Sequence, residues 1–432
     1  MTSFTVHPGR CFAGEITVPG DKSISHRALL FGALADGETV ITGFLASEDT
    51  EATADCLRAM GVRIEMGETV RVHGVSLHGL RACKTELWTG NSGTTTRLLL
   101  GILAGQPFTA TLRGDDSLSK RPMDRVAIPL SRMGAVIDGQ GERCTPPITI
   151  TGGRLHGIAY TSPVASAQVK SAILLAGLYA DGETTVTEPE KSRDHTERML
   201  RGFGVPVAEE GLTVRLRGGG RLMGQHVAVP GDISSAAFFL VAGAVVPGAR
   251  VTVRNVGVNP TRAGILDVLR AMGANLTVTN ERLEGGEPVA DLTVAHGPLT
   301  ATTIAGPLIP RLIDELPVLA VAAAFAAGTT IIADAKELRV KESDRIATIS
   351  HFVRDMGTDV EEREDGMIIH GGRALRGTDV DSHGDHRVAM SAAVAALAAG
   401  VENRIHGAEC IATSFPSFTS LTRELGAVIE ER

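Results

Sequence analysis

Aromatic residues are scarce in this sequence, at 3% of 432 residues with one tryptophan and two tyrosines. So few π-faces exclude the stacking platform that single-stranded nucleic acid requires. A basic surplus is missing as well, because 42 lysines and arginines face 50 aspartates and glutamates, for a formal net charge of -8. Any anion site is therefore a local gathering of cations rather than a basic surface. The five cysteines, Cys11, Cys56, Cys83, Cys144 and Cys410, lie far apart and form no CxxC pair. That leaves neither a zinc site nor a disulfide framework, and reduced thiols are expected. The longest apolar run, residues 316–327, is too short and too rich in alanine to span a bilayer, and residues 1–10 hold no hydrophobic secretory core. A cytoplasmic protein is expected, with neither a membrane nor a nucleic-acid partner. No glycine-rich lysine loop of the nucleotide-binding kind occurs, which counts against a kinase of small acids.

What the chain does have is length and repetition. A length of 432 residues exceeds what one hydrophobic core usually serves, so two domains are expected. A hydrophobic-Gly-small step closes six successive units, at Met60-Gly61-Val62, Met133-Gly134-Ala135, Phe203-Gly204-Val205, Met272-Gly273-Ala274, Met356-Gly357-Thr358 and Leu425-Gly426-Ala427. The period is about 70 residues, longer than that of common solenoids. Val18-Pro19-Gly20-Asp21 returns as Val229-Pro230-Gly231-Asp232, so three units are followed by three more, with joints at these two points. Residues 170–180, 235–246, 316–327 and 388–399 are small and apolar nearly all round, and such helices must be buried. Strand-like stretches such as 69–73, 212–217 and 251–254 alternate apolar with polar, as sheets with one wet face do. The expected architecture is α/β turned inside out, with helices inside and sheets outside. Parallel inner helices would then bring their N-termini out on one face of each domain and concentrate positive potential there.

Polar clusters sit at the starts of these helices. Gly20-Asp21-Lys22-Ser23-Ile24-Ser25-His26-Arg27 offers cations and hydroxyls at a strand-to-helix junction, with Asp21 or Ser23 as the cap and with Ser23 and Arg27 on one face. Gly90-Asn91-Ser92-Gly93-Thr94 supplies backbone amides without bulk. Residues 113–125 read as a polar loop leading to a helix with Pro122 in its first turn, and Arg121 is positioned to swing onto an anion as that loop closes. Ser166-Ala167-Gln168 and Lys191-Ser192-Arg193-Asp194-His195 repeat the pattern of polar groups at a helix start. In the second half, Asp314 precedes a buried helix, and Lys341 and Arg345 stand four apart at a helix start with Glu342 free to serve as acid or base. His383-Gly384-Asp385-His386-Arg387 lacks a third ligand spaced for a metal and reads as another anion-facing helix start. Singly, each of these motifs is an ordinary helix start.

Jointly, and in this order, they resemble the enolpyruvyl transferases, and within them the branch that uses shikimate 3-phosphate. The resemblance covers nearly the whole chain. It implies two inside-out α/β domains of three βαβαββ-type units each, 20–229 and 1–19 plus 230–432, with the active site in the cleft between them. It implies that phosphoenolpyruvate and shikimate 3-phosphate bind there and that inorganic phosphate is released. By the same resemblance Lys22 touches both ligands; Ser23, Arg27, Ser166, Ala167, Arg193, Asp314 and Lys341 hold shikimate 3-phosphate; Gly93, Arg121, Gln168, Arg345 and Arg387 hold phosphoenolpyruvate. Asp314, with Lys22, takes the proton of the attacking hydroxyl, and Glu342 handles the proton at C3. No metal or organic cofactor is implied, and a monomer is expected. Gly93 stands where glyphosate-insensitive members carry Ala, so glyphosate sensitivity is expected.

The chain departs from the family pattern in places. Residues 411–416, Ile-Ala-Thr-Ser-Phe-Pro, lack the lysine that many members have there; Ala167 and Arg193 replace hydroxyl residues of another branch; Glu337 stands where an Asn can contact shikimate. Two rivals remain: the sister enzyme acting on UDP-N-acetylglucosamine and a non-catalytic RNA-binding repeat protein. The former has Lys-Asn in its first motif and a reactive Cys in its mobile loop, whereas this chain has Lys22-Ser23 and no Cys in residues 113–121.

Overall fold

The computed structural model describes residues 3–7 and 12–431. Cys11 and, of the first ten residues, 1, 2 and 8–10 lie outside the described residues. The chain divides into two compact units, Gly20–Val229 and Met1–Pro19 with Pro230–Arg432, so both crossings fall at the repeated Pro-Gly-Asp points. At the first of them Gly20 lies against Gly43, where an added Cβ would come within 1.8 Å of the Gly43 carbonyl oxygen. No side chain fits between the two backbones.

Within each unit three inner helices form the core. In Gly20–Val229 these are Lys22–Leu34, Gly93–Ala104 and Ala167–Gly177; in the other unit they are Ile233–Val245, Leu316–Phe325 and His386–Ala399. Every residue of Ile233–Val245 is buried, as its lack of a polar face requires. Tight burial of this kind makes truncation costly: Leu319→Ala, at a fully buried site, is expected to lose about 2–5 kcal/mol.

Three four-stranded sheets cover the helices of each unit, all in one order. In the sheet of Leu87–Trp88, Thr109–Arg113, Thr145–Thr151 and Val136–Gln140 the first pair is parallel and the other two are antiparallel. Each unit closes on itself by borrowing a strand from the far end of its own chain segment. His226–Ala228 joins Glu38–Thr42 in parallel, and Ser3–His7 lies antiparallel between Asn403–His406 and Val428–Glu431. The strands alternate as the sequence suggests, with Val70 and Val72 buried and Arg71 exposed. All six glycines of the closing steps have positive φ, from 79° at Gly273 to 119° at Gly134. The repeat is thus a left-handed helix end, which glycine adopts without steric cost.

Two boundaries differ from the sequence-based expectation. The helix beginning near Lys170 ends at Gly177, and Ala180–Asp181 is a short strand paired with Leu155–His156. The helix beginning at Leu316 ends at Phe325, and Thr329–Ile332 starts the next strand.

Candidate active site

In the Gly20–Val229 unit the first turns of the three inner helices are tied together by polar side chains. Asp21, not Ser23, caps the first helix: its Oδ1 accepts from the Ile24 N–H at 2.9 Å, and Ser23 lies inside the helix. Lys22 Nζ donates to Asp49 Oδ2 at 2.9 Å, on the first turn of the neighbouring Glu48–Ala59 helix. Arg27 is nearly fully buried. Its Nε donates to Thr196 Oγ1 and its Nη2 to Ser171 Oγ, both at 2.7 Å, and its Nη1 reaches the Ser23 carbonyl at 2.9 Å. These partners fix the direction of the guanidinium without cancelling its charge.

Behind Lys22, His26 Nδ1 lies 2.8 Å from Thr53 Oγ1, which lies 2.6 Å from Thr95 Oγ1. Thr95 in turn donates to Ser92 Oγ at 2.8 Å. Burial, reinforced by the charges of Lys22 and Arg27, holds the His26 pKa well below its ordinary value, so the imidazole is neutral. This chain of hydroxyls links the first helix to the cap of the second.

Ser92 Oγ accepts from the Thr95 N–H at 3.1 Å and so caps the Gly93–Ala104 helix. A Cβ on Gly93 would come within 2.6 Å of Arg97 Nη1 and 3.2 Å of Arg121 Nη1, so the two guanidinium groups converge over this glycine. Arg97 donates to Gln168 Oε1 at 2.9 Å and to the Pro122 carbonyl at 3.2 Å, while Gln168 Nε2 donates to Thr94 Oγ1 at 2.9 Å. Arg121 Nη2 donates to Asn91 Oδ1 at 3.0 Å. Its loop is therefore already docked, with Asn91 Nδ2 on Asp115 at 2.6 Å. Pro122 precedes the Asp124–Met133 helix rather than lying in its first turn; the proline inside that helix is Pro129.

Ser166 caps the third inner helix through the Val169 N–H at 3.4 Å, which places Ala167 and Gln168 on its first turn. Arg193 is half-buried just before the His195–Gly202 helix. Asp194 makes no side-chain cap there, and its carboxylate accepts from Arg198 Nε at 2.9 Å instead.

The other unit builds its cluster from opposed charges. Asp314 Oδ1 lies 3.5 Å from Lys341 Nζ and 3.6 Å from Arg345 Nη1, and its Oδ2 lies 3.9 Å from Arg262 Nη1. Arg387 Nη1 donates to the Asp314 carbonyl at 3.0 Å. Arg345, 1% exposed, donates from Nε to Asp385 Oδ2 at 2.7 Å and from Nη2 to Glu342 Oε2 at 2.6 Å. Its Nη1 is buried and makes no hydrogen bond among the described residues. Burial alone would raise the Asp385 pKa, but the Arg345 charge beside it holds the carboxyl below its ordinary value. Burial would likewise depress the Arg345 pKa, and Asp385 and Glu342 reverse that and raise it. Asp385 also caps the His386–Ala399 helix through the Arg387 N–H at 2.9 Å. The His383–Arg387 motif is accordingly a helix start.

Two expectations for this cluster need correction. Lys341 and Arg345 share no helix face, because the helix begins at Arg345 behind an Asp344 cap and Lys341 follows a 3-10 turn, Lys336–Val340. They meet through Asp314 instead. Glu342 is not free, since it is held by Arg345.

Sequence reasoning also missed a buried layer behind Asp314. Arg262 Nη2 donates to Ser234 Oγ at 2.6 Å and to Asp232 Oδ1 at 3.2 Å, Arg262 Nη1 to Glu315 Oε1 at 3.3 Å, and Ser234 hydrogen-bonds Glu315. Arg97 was quoted in its motif without a role. The only signal for Glu315 and Arg262 in the chain is a charge beside an apolar helix, which does not reveal its partner.

The family model described as EPSP synthase (3-phosphoshikimate 1-carboxyvinyltransferase) matches residues 6–421. A protein of Desulforamulus reducens named 3-phosphoshikimate 1-carboxyvinyltransferase is 54% identical over 97% of this chain and 98% of its own length. One of the same name from Acidithiobacillus ferrooxidans is 55% identical over 100% and 99%. The solved EPSP synthase of Acinetobacter baumannii superposes with a TM-score of 0.88 at 51% identity, covering 100% of both chains. The enolpyruvyl transferase NikO of Streptomyces tendae, at 19% identity and a TM-score of 0.79 over 100% of this chain and 99% of its own, shares the fold. With that model matched from residue 6 to residue 421 and relatives identical at more than half their positions, the chain belongs to the EPSP synthase family of 3-phosphoshikimate 1-carboxyvinyltransferases.

Proposed function

We propose that this protein transfers the carboxyvinyl group of phosphoenolpyruvate to the 5-hydroxyl of shikimate 3-phosphate and releases inorganic phosphate, with the clusters of the two units forming one site. The observation that carries this reading is Asp314, a carboxylate bracketed by Lys341, Arg345 and Arg262 at the start of a buried helix. Cations that close keep the carboxylate ionised, so it is available as a base, and they also supply donors for anionic ligands.

On this reading Ser23, Arg27, Ser166, Ala167, Arg193, Asp314 and Lys341 bind shikimate 3-phosphate, while Gly93, Arg121, Gln168, Arg345 and Arg387 bind phosphoenolpyruvate. Lys22 reaches both. Each ligand carries a phosphate and a carboxylate, and each charge-assisted hydrogen bond to them contributes about 1.5–3 kcal/mol. Several such bonds are needed to offset the desolvation of that much negative charge. Arg97, which converges with Arg121 over Gly93, joins the phosphoenolpyruvate set.

The reaction runs by addition and elimination. The 5-hydroxyl oxygen attacks C2 as Asp314, assisted by Lys22, takes its proton, and C3 gains a proton from Glu342. The tetrahedral product then collapses: C3 returns the proton to Glu342, the double bond re-forms, and the C2–O bond to phosphate breaks. Arg121, Arg345 and Arg387 offset the charge of the departing phosphate. The buried Nη1 of Arg345 is a donor placed for that purpose. Glu342, fixed by Arg345 at 2.6 Å, has the defined direction that proton transfer to one face of C3 needs.

Phosphate release from phosphoenolpyruvate, measured with shikimate 3-phosphate and separately with UDP-N-acetylglucosamine, tests the assignment. A response to the first alone is expected; a response to the sugar nucleotide, or to neither, refutes it. Glyphosate should compete with phosphoenolpyruvate, because Gly93 leaves the space that an Ala would fill. No described helix is long and apolar enough to cross a membrane, and the proposed setting is a cytoplasmic monomer. Sedimentation of the purified protein checks the oligomeric state.

A further inference from the structure

The most deeply buried ions of the Gly20–Val229 unit take no part in the chemistry above. Lys170 is 1% exposed and lies in an otherwise apolar helix. Its Nζ sits 2.8 Å from Glu188 Oε2 and 2.8 Å from Glu197 Oε1, both carboxylates being buried. Glu197 Oε2 accepts no hydrogen bond among the described residues. Burial raises the Glu197 pKa despite Lys170. For Lys170, burial works downward, but the two glutamates outweigh it and the pKa is raised. Lys170 therefore stays charged.

Buried ion clusters are weak sources of stability, because apolar side chains of the same volume often serve as well. What they do supply is fixed distances, and the distances fixed here lead to two ligand-facing arginines. Glu188 Oε1 accepts from Ser192 Oγ at 2.5 Å, Glu188 Oε2 from the Ser192 N–H at 3.4 Å, and Lys170 Nζ donates to the Ser192 carbonyl at 3.4 Å. Both backbone groups of the residue before Arg193 are thereby held. On the other side, Lys170 and Glu197 are the chain neighbours of Ser171 and Thr196, the two hydroxyls that aim Arg27. Ser171 Oγ and Thr196 Oγ1 are themselves 2.6 Å apart. The ion pair and the hydroxyl pair thus join the same two helix turns, one behind the other. The Lys170 N–H also donates to the Ser166 carbonyl at 3.0 Å, so the capping residue rests on the same anchor.

We propose that Lys170, Glu188 and Glu197 form a positioning cluster that sets the aim of Arg27 and the backbone of Arg193, and thereby governs affinity for the phosphorylated hydroxy-acid substrate rather than turnover. The identity of that substrate as shikimate 3-phosphate rests on the function proposed above. The position of Arg27 does not.

The test replaces all three charges at near-constant volume, as Lys170→Met with Glu188→Gln and Glu197→Gln, which leaves no lone buried ion. Expected in the folded variant is a rise of tenfold or more in KM for shikimate 3-phosphate, with kcat and the KM for phosphoenolpyruvate within twofold of wild type. The Arg27 Nε–H resonance of arginine-labelled protein, identified by its loss in Arg27→Lys, should shift or broaden. An unchanged KM for shikimate 3-phosphate, or an unchanged Arg27 resonance, overturns the proposal. Glu197→Gln alone keeps Lys170 paired with Glu188 and carries the same two readouts should the triple variant fail to fold. If the wild-type protein turns over neither substrate pair, the functional assignment falls while the resonance still decides whether the cluster aims Arg27.

Discussion

Arg27 and Arg345 are both buried, both lie at the start of an inner helix, and they are held by opposite means. Arg27 donates to two hydroxyls and a carbonyl, whereas Arg345 is gripped by the carboxylates of Asp385 and Glu342 and faces a third at Asp314. Hydroxyls steer a guanidinium and leave its charge for a ligand, while carboxylates neutralise it and are themselves held ionised. The Gly20–Val229 unit is therefore built mainly to receive anions. Its counterpart keeps acids and bases in register, with cations as their frame. The same helix starts, repeated by the fold, serve binding in one unit and proton transfer in the other.

The largest effect expected from this contrast is on Glu342. Glu342→Gln keeps the volume and one acceptor for Arg345 but removes the proton carrier, so kcat should fall by about 10²–10⁴, the usual range for a lost general acid–base. Dissociation constants for both ligands, measured by calorimetry, should stay within a few-fold of wild type. Near-normal turnover would show that the carboxylates of this unit are only structural.

Stability separates the two arginines next. Arg345→Met leaves Asp385 buried without its partner and should cost about 3–5 kcal/mol in denaturant unfolding. Arg27→Met leaves Ser171 and Thr196 bonded to each other, so its cost should be nearer 1–2 kcal/mol. The ligand result reverses the order, since Arg27→Met should weaken shikimate 3-phosphate by tenfold or more in a protein that still folds. Equal stability losses would erase the distinction.

Much of this arrangement was legible in the sequence, for reasons that can be named. The six closing glycines show because a left-handed helix end admits little else, and helices such as 316–325 show because they have no polar face to expose. The helix-start motifs show because caps are local, as with Asp21 and Ser92. What stayed hidden depends on contacts far apart in the chain. Lys170 reads as a blemish in an apolar helix until Glu188 and Glu197 are found beside it, and Arg262 gains its meaning only from Asp232 and Glu315. Helical spacing also misled at Lys341, because an Asp344 cap starts the helix three residues after it.

A smaller effect is expected at Gly93. The Cβ of Gly93→Ala would press on Arg97 Nη1 at 2.6 Å, but a guanidinium on a flexible stem can move aside at little cost. The fold should therefore survive with a Tm within a few degrees of wild type, while the KM for phosphoenolpyruvate rises several-fold as Arg97 and Arg121 part. An unchanged KM would place these arginines outside the anion site and weaken the view of this unit as the binding half.

The smallest effect is a pH dependence that differs between the units. His26 is buried with its pKa well below the ordinary 6.5, so between that value and its folded value the unfolded chain binds more protons than the native one. Stability contributed at this site is thus full above pH 6.5 and declines as pH falls from there, by up to about 1.4 kcal/mol per pH unit. Asp385 has a folded pKa below its unfolded value; its contribution persists above the unfolded pKa of about 3.9 and is lost only as pH falls further. Hydrogen exchange followed from pH 7 to pH 5 should accordingly show a His26-linked loss of protection in the helices beginning at Lys22 and Gly93, with no matching Asp385-linked loss in the helix beginning at His386. His26→Asn keeps a hydrogen-bonding group for Thr53 and removes the titration, so the stability difference between wild type and variant should grow with pH across this range. A difference that is flat between pH 5 and 6.5 would mean that the imidazole is reached by solvent, and that the hydroxyl chain from His26 through Thr53 and Thr95 to Ser92 is not the dry link that joins the first two inner helices.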